Sequence, residues 1–247
     1  MVHFILLFFA AIMAGVLNAL GGGGSYITFP MLIFTGMPPI AANATNTFAV
    51  WAGTLSSVAA YRTEIKRSRL LLPVLGLASL LGGEIGAVVL LRTPETVFSG
   101  LIPYLLLLAT ILFAMSRKIT KHLYRYGGIH LGVGGAILLQ LAIAFYGGYF
   151  GGGMGIIVLA LLGMVGLKNM HEMNAIRAVL GVLINGSAVA VFILYGKIVW
   201  PQAIIMTAGA VLGGYMGALF FKRVPADRMR MVVIGIGAVM TLYFFLR

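Results

Sequence analysis

The residues best suited to chemistry in this chain are two runs of glycine set inside apolar sequence. One is Gly21, Gly22, Gly23 and Gly24 before Ser25; the other is Gly151, Gly152 and Gly153 before Met154 and Gly155. Without a Cβ, glycine lets backbone N–H groups come close to a ligand. A helix that starts after such a run offers free N–H groups and the positive end of its dipole, a combination that binds anions. Those helices are expected to start near Ser25 and Gly155. A polar segment follows each run, Asn43-Ala44-Thr45-Asn46 in one place and Asn174-Ala175-Ile176-Arg177 in the other. Its amides either donate to oxyanion oxygens or cap the next helix. Arg177 adds a planar cation that fits oxyanions, or else snorkels from near a helix end. Glu84, inside Leu80-Leu81-Gly82-Gly83-Glu84-Ile85-Gly86, fits proton coupling or a protonated interhelical hydrogen bond. Asn18, Gln140 and Asn185 are embedded as well and read as helix–helix contacts.

No enzyme constellation accompanies these groups: the sequence has no HExxH, GxSxG or P-loop pattern. It has no cysteine, which removes disulfides, thiol relays and Cys-ligated metal. The chain is therefore read as a non-enzyme without cofactor or metal. Of its 247 residues 61% are hydrophobic and 9% charged, where a soluble domain has about 25% charged. With a mean hydropathy of +1.08 the surroundings must be a lipid bilayer. The net charge of +12 does not point to nucleic acid, because the basic residues sit in short clusters between apolar spans, as membrane orientation requires. The start, Met1-Val2-His3-Phe4, lacks a positive leader and is expected to stay uncleaved.

Stepping along the chain, the second glycine run repeats the first 130 residues on, as Gly166 repeats Gly36. After one inserted residue the offset is 131, for Asn43/Asn174, Gly82/Gly213, Gly86/Gly217 and Arg92/Arg223. The chain is two copies of one unit, and paired glycine-broken segments at matching positions point to a transporter's binding site. The first copy, 1–115, reads as a hairpin over 4–36 and spans over 42–60, 70–91 and 97–115. A basic link, 116–128, is expected in the cytoplasm. The second copy, 129–247, reads as a hairpin over 129–166 and spans over 173–195, 200–221 and 228–246. If each hairpin enters and leaves the membrane on one side, 13 Lys/Arg fall on one face and 3 on the other; if each is a single span the split is 10 to 6. The positive-inside rule selects the hairpins and an outside N-terminus. Three spans per copy then make the repeats inverted, so the expected fold is an all-α membrane protein of two inverted repeats.

Gly15 through Pro30, then Gly36-Met37-Pro38-Pro39-Ile40-Ala41-Ala42-Asn43-Ala44-Thr45-Asn46, resembles the opening of the TauE/SafE sulfite exporter family. The Gly82-Gly83-x-x-Gly86 patch and the second glycine run fit too, and the resemblance covers essentially the whole chain. It implies a multi-pass permease of the prokaryotic inner membrane for a small sulfur oxoanion such as sulfite or an organosulfonate; whether the chain acts as monomer or homodimer the sequence leaves open. The absent cysteines separate the chain from more distant thiosulfate transporters with a proposed cysteine relay. The expected mechanism is alternating access around a midplane anion held by Gly21–Ser25, Gly151–Gly153, Gly155, Asn43, Asn46, Asn174 and Arg177, with Glu84 for coupling. An anion channel, an importer of another small anion and a membrane scaffold without substrate are the alternatives.

Overall fold

A computed structural model describes residues 2–20, 23–60, 72–126, 131–167, 169–220 and 226–246. They form ten helices, and there is no strand among the described residues. The helices are α1 Val2–Leu20, α2 Ser25–Phe34, α3 Pro39–Ala60, α4 Leu72–Arg92, α5 Glu95–Tyr126, α6 Val133–Tyr149, α7 Met154–Met164, α8 Met170–Leu194, α9 Trp200–Phe220 and α10 Ala226–Leu246. Helix is the form that satisfies every backbone group internally where no water is at hand. Leu72–Arg92, Glu95–Ser116 and Glu172–Leu194 are long and apolar enough to cross a bilayer; 21 residues rise about 31 Å against a core of about 30 Å. By contrast α2 and α7 have only 10 and 11 residues, about half of that rise. The stretch 116–128, read from sequence as the link between copies, is helical through Tyr126 as the end of α5. The basic loop 61–69 lies outside the described residues, and Lys222 and Arg223 do too.

The main packings come in pairs that exchange when the two copies are exchanged. α1 lies on α9 as α6 lies on α4, α3 lies on α9 as α8 lies on α4, and α5 meets its own counterpart α10. Repeat-matched glycines make this possible. A Cβ at Gly82 or Gly86 would run into the α6 backbone at Leu141 and Phe145, and one at Gly213 would run into the carbonyl of Ile12 on α1. Small residues thus let helix backbones touch, and each copy supplies the surface the other needs.

Helix directions follow from individual contacts. Tyr104 packs edge-on against Phe245, whereas a Cβ on Gly237 would meet Thr110; α5 and α10 therefore run antiparallel. The Thr45 hydroxyl accepts the Val199 N–H at the start of α9 (3.0 Å), and Gly53 faces Ala210 further along, so α3 and α9 run parallel. The Leu131 N–H donates to the Met164 carbonyl (3.2 Å), which brings the end of α7 back beside the start of α6. The core between the helices holds Tyr26, Phe29, Phe98, Phe192 and Leu106, all fully buried.

Candidate functional site

The two glycine breaks meet. Between them lies a cavity of about 90 Å³, walled by Gly23 and Ser25 from the first break and by Gly151 through Gly155 from the second. The volume is well above the roughly 10–15 Å³ that admits one water. Gly23 (φ +99°) and Gly153 (φ +75°) are repeat partners, and both hold the left-handed conformation open to glycine. That conformation turns the chain from α1 into α2 and from α6 into α7. Helices α2 and α7 start at Ser25 and Met154, and neither has a side-chain cap. The N–H groups of Tyr26, Ile27 and Thr28 donate to the Gly23 and Gly24 carbonyls, and those of Met154 and Ile156 donate to the carbonyls of Gly151 and Gly153; both positive helix ends border the cavity.

Arg177, two turns into α8, is half-buried on the cavity wall. A Cβ at Gly155 would stand 2.9 Å from its Nη1, so the guanidinium lies against the first turn of α7. Among the described residues the cavity's other polar walls are Asn18, Thr47, Thr54 and Asn185. The Thr47 and Thr54 hydroxyls donate to the carbonyls of Asn43 and Val50 on their own helix, each at 2.8 Å. Phe113, Phe150, Val50 and Ile156 supply an apolar side. The arrangement can hold one small anion by the charge of Arg177 and the two helix dipoles, with apolar surface against its remaining face.

Each break is held by a different side chain. Asn18 Oδ1 accepts the Gly24 N–H at 2.9 Å, and the Tyr146 hydroxyl donates to the Gly152 carbonyl at 2.5 Å. The asparagines of the polar segments stand behind these turns rather than in the cavity wall. The Asn43 amide donates to the Tyr149 carbonyl (3.1 Å) at the end of α6, and Asn46 accepts the Thr28 hydroxyl of α2. Asn174 is half-buried in α8, also off the wall. Helices α3 and α8 begin at Pro39 and Met170, ahead of Asn43 and Asn174, so neither asparagine is a cap. Gly24 is buried behind the cavity; Gly21 and Gly22 lie outside the described residues. Glu84 is exposed on the outer face of α4, away from the cavity. Gln140 donates to Ser79 (2.7 Å) between α6 and α4, the helix–helix contact its sequence setting suggested. Asn18 and Asn185, read in the same way, border the cavity instead. The spacing of Thr47, Val50 and Thr54 was a usable signal, since i, i+3 and i+7 share one helix face. Among the described residues no group of three His, Cys, Asp or Glu is placed to hold a metal.

The model of the family described as "Sulfite exporter TauE/SafE" matches residues 7–244. The chain belongs to this family. It is 29% identical over 238 residues to a probable membrane transporter protein of Haemophilus influenzae, covering 96% of this chain and 92% of that one. It is 28% identical over 237 residues to the probable membrane transporter protein YfcA of Escherichia coli K12, covering 95% and 87%. A third relative, the probable membrane transporter protein ORF9 of a Sinorhizobium species, is 29% identical over 220 residues, covering 87% of this chain and 81% of the relative. No solved structure matches the chain. Family membership and apolar helices together make this a membrane protein of a transporter family.

Proposed function

We propose that the chain is a secondary exporter of small sulfur oxoanions, such as sulfite or an organosulfonate, in a prokaryotic inner membrane. The observation that carries this reading is the cavity between the two glycine breaks, bordered by two helix starts without side-chain caps and by Arg177. The chemistry of that wall favours a small anion, and the family's description supplies sulfite as the first candidate. The mechanism is alternating access: one copy rocks against the other around the anion. Support for inverted repeats comes from α5 and α10, counterparts that run antiparallel where Tyr104 meets Phe245. Support for hairpins that enter and leave on one side comes from the return of α7 to the start of α6. With the N-terminus outside, the basic loops face the cytoplasm. An anion leaving a cell that is negative inside gains about 2.3 kcal/mol per charge per 100 mV, so export runs on the membrane potential.

The test is purified protein in vesicles loaded with sulfite or an organosulfonate. Efflux should saturate, respond to an imposed potential and be accelerated by the same anion on the opposite side, as a carrier requires. Efflux that Gly153→Leu leaves at the wild-type rate would place the route elsewhere. Flux without acceleration by the opposite pool would mean a channel.

A further inference from the structure

Glu84 is a carboxyl group in the wrong place for a lone bundle. It sits within about 3 Å of the midpoint of α4 along the helix axis and is exposed, flanked on the same face by Leu77, Leu80, Leu81 and Ile85. The other faces of α4 are committed. Gly82 and Gly86 press on α6, and Gly83 presses on Ile184 and Ser187 of α8. Ionisable groups at this depth face a protein interior, a water-filled cavity or a partner group. Glu84 does not line the cavity, and its side chain is too short to reach either membrane surface from mid-helix.

The second copy narrows the choice of partner. The counterpart of Glu84 is Tyr215 on the outer face of α9, 65% exposed. Only one of the two matching outer faces carries an acid. A contact between unlike faces runs on into a ring or an open chain, whereas a contact of one face with itself closes after two copies. A carboxyl group is self-complementary across such an axis, because a protonated one donates to the oxygen of its copy. We propose that the α4 face bearing Leu77, Leu81, Glu84 and Ile85 is the surface on which a second copy of this chain pairs in the membrane, Glu84 against Glu84. The proposal concerns association alone and stands apart from the anion transported.

The absence of cysteine allows a direct test. Leu81 and its repeat counterpart Leu212 are exposed to nearly the same extent, 47% and 49%. Leu81→Cys and Leu212→Cys proteins are placed in vesicles at high lipid-to-protein ratio, oxidised and separated without reductant. Leu81→Cys should give dimer on the order of tenfold above Leu212→Cys, and Glu84→Leu in the Leu81→Cys chain should lower it by a similar factor. Glu84→Gln, whose amide also donates and accepts, should keep dimer within about twofold. Equal cross-linking at both positions would overturn the proposal. So would dimer unchanged by Glu84→Leu in protein that remains monodisperse.

Discussion

The two glycine breaks have the same backbone and different chemistry. Gly23 and Gly153 share a left-handed φ, and each turn ends in an uncapped helix at the cavity. Yet Gly24 of the first break is buried behind the wall, whereas its counterpart Met154 in the second lines it. The contrast is sharpest at the repeat partners Asn46 and Arg177. Asn46 is buried and braces α2 through Thr28, whereas Arg177 borders the cavity beside Gly155. The turn recurs because it depends on glycine's freedom of φ. The side chains around it differ: the first break is braced through Asn46 and Thr28, and the second has the Arg177 cation beside it.

The strongest way to break that division is to put a side chain at each left-handed glycine. A non-glycine residue there costs about 1–3 kcal/mol of backbone strain. At Gly153 the added Cβ would stand 3.3 Å from the Ala109 backbone, which cannot swing aside. At Gly23 it would stand 2.9 Å from Phe113 and Val233, both buried, so those side chains would have to shift. Because Arg177 stands beside the second break, Gly153→Leu should abolish sulfite efflux from vesicles, while Gly23→Leu should retain part of it. Equal loss in both would mean that the two turns share the work.

A smaller effect separates the repeat partners. Arg177→Ala should weaken sulfite binding by about 1.5–3 kcal/mol, the range for a charge-assisted hydrogen bond, read by calorimetry on monodisperse protein. Asn46→Ala should leave that affinity within about twofold and lower unfolding stability by about 0.5–1.5 kcal/mol, the net worth of one hydrogen bond. An affinity loss with Asn46→Ala as large as with Arg177→Ala would erase the distinction between frame and site.

The smallest effects concern the two clamps. Tyr146→Phe removes the donor to Gly152, and Asn18→Leu removes the acceptor of the Gly24 N–H. Each should lower stability by about 0.5–1.5 kcal/mol, and Asn18→Leu should cost more because a buried N–H is left without its partner. Thermal unfolding in detergent measures both. A Tyr146→Phe protein less stable than Asn18→Leu would reverse the order of the clamps.

Much of this was legible in the residues, because some patterns act through local rules. Glycine runs inside apolar sequence announce broken helices, since lipid cannot satisfy loose backbone. The offset of 130 to 131 residues announces duplication, and the starts of α2 and α7 fall within a residue of the positions read from sequence. The polar residues were less legible. Asn43 and Asn46 have the right type for a ligand, but their helix turns them toward Tyr149 and Thr28. Asn18 and Asn185 look like helix–helix contacts until α1 and α8 are seen to border the same space. Glu84 reads as a coupling acid until its face of α4 is known to point outward.

The sequence by itself determined the membrane setting, the helical class and the two breaks. Composition, period and the conformational freedom of glycine are properties of neighbours along the chain. Only the tertiary structure decided which polar groups share the cavity. Arg177 and Gly155 come together with Gly23 and Asn18 through packing between the copies, α1 on α9 and α4 on α6. That packing is fixed by glycine-to-backbone contacts between residues far apart in the chain, and no local rule encodes the rotation each helix adopts when they close.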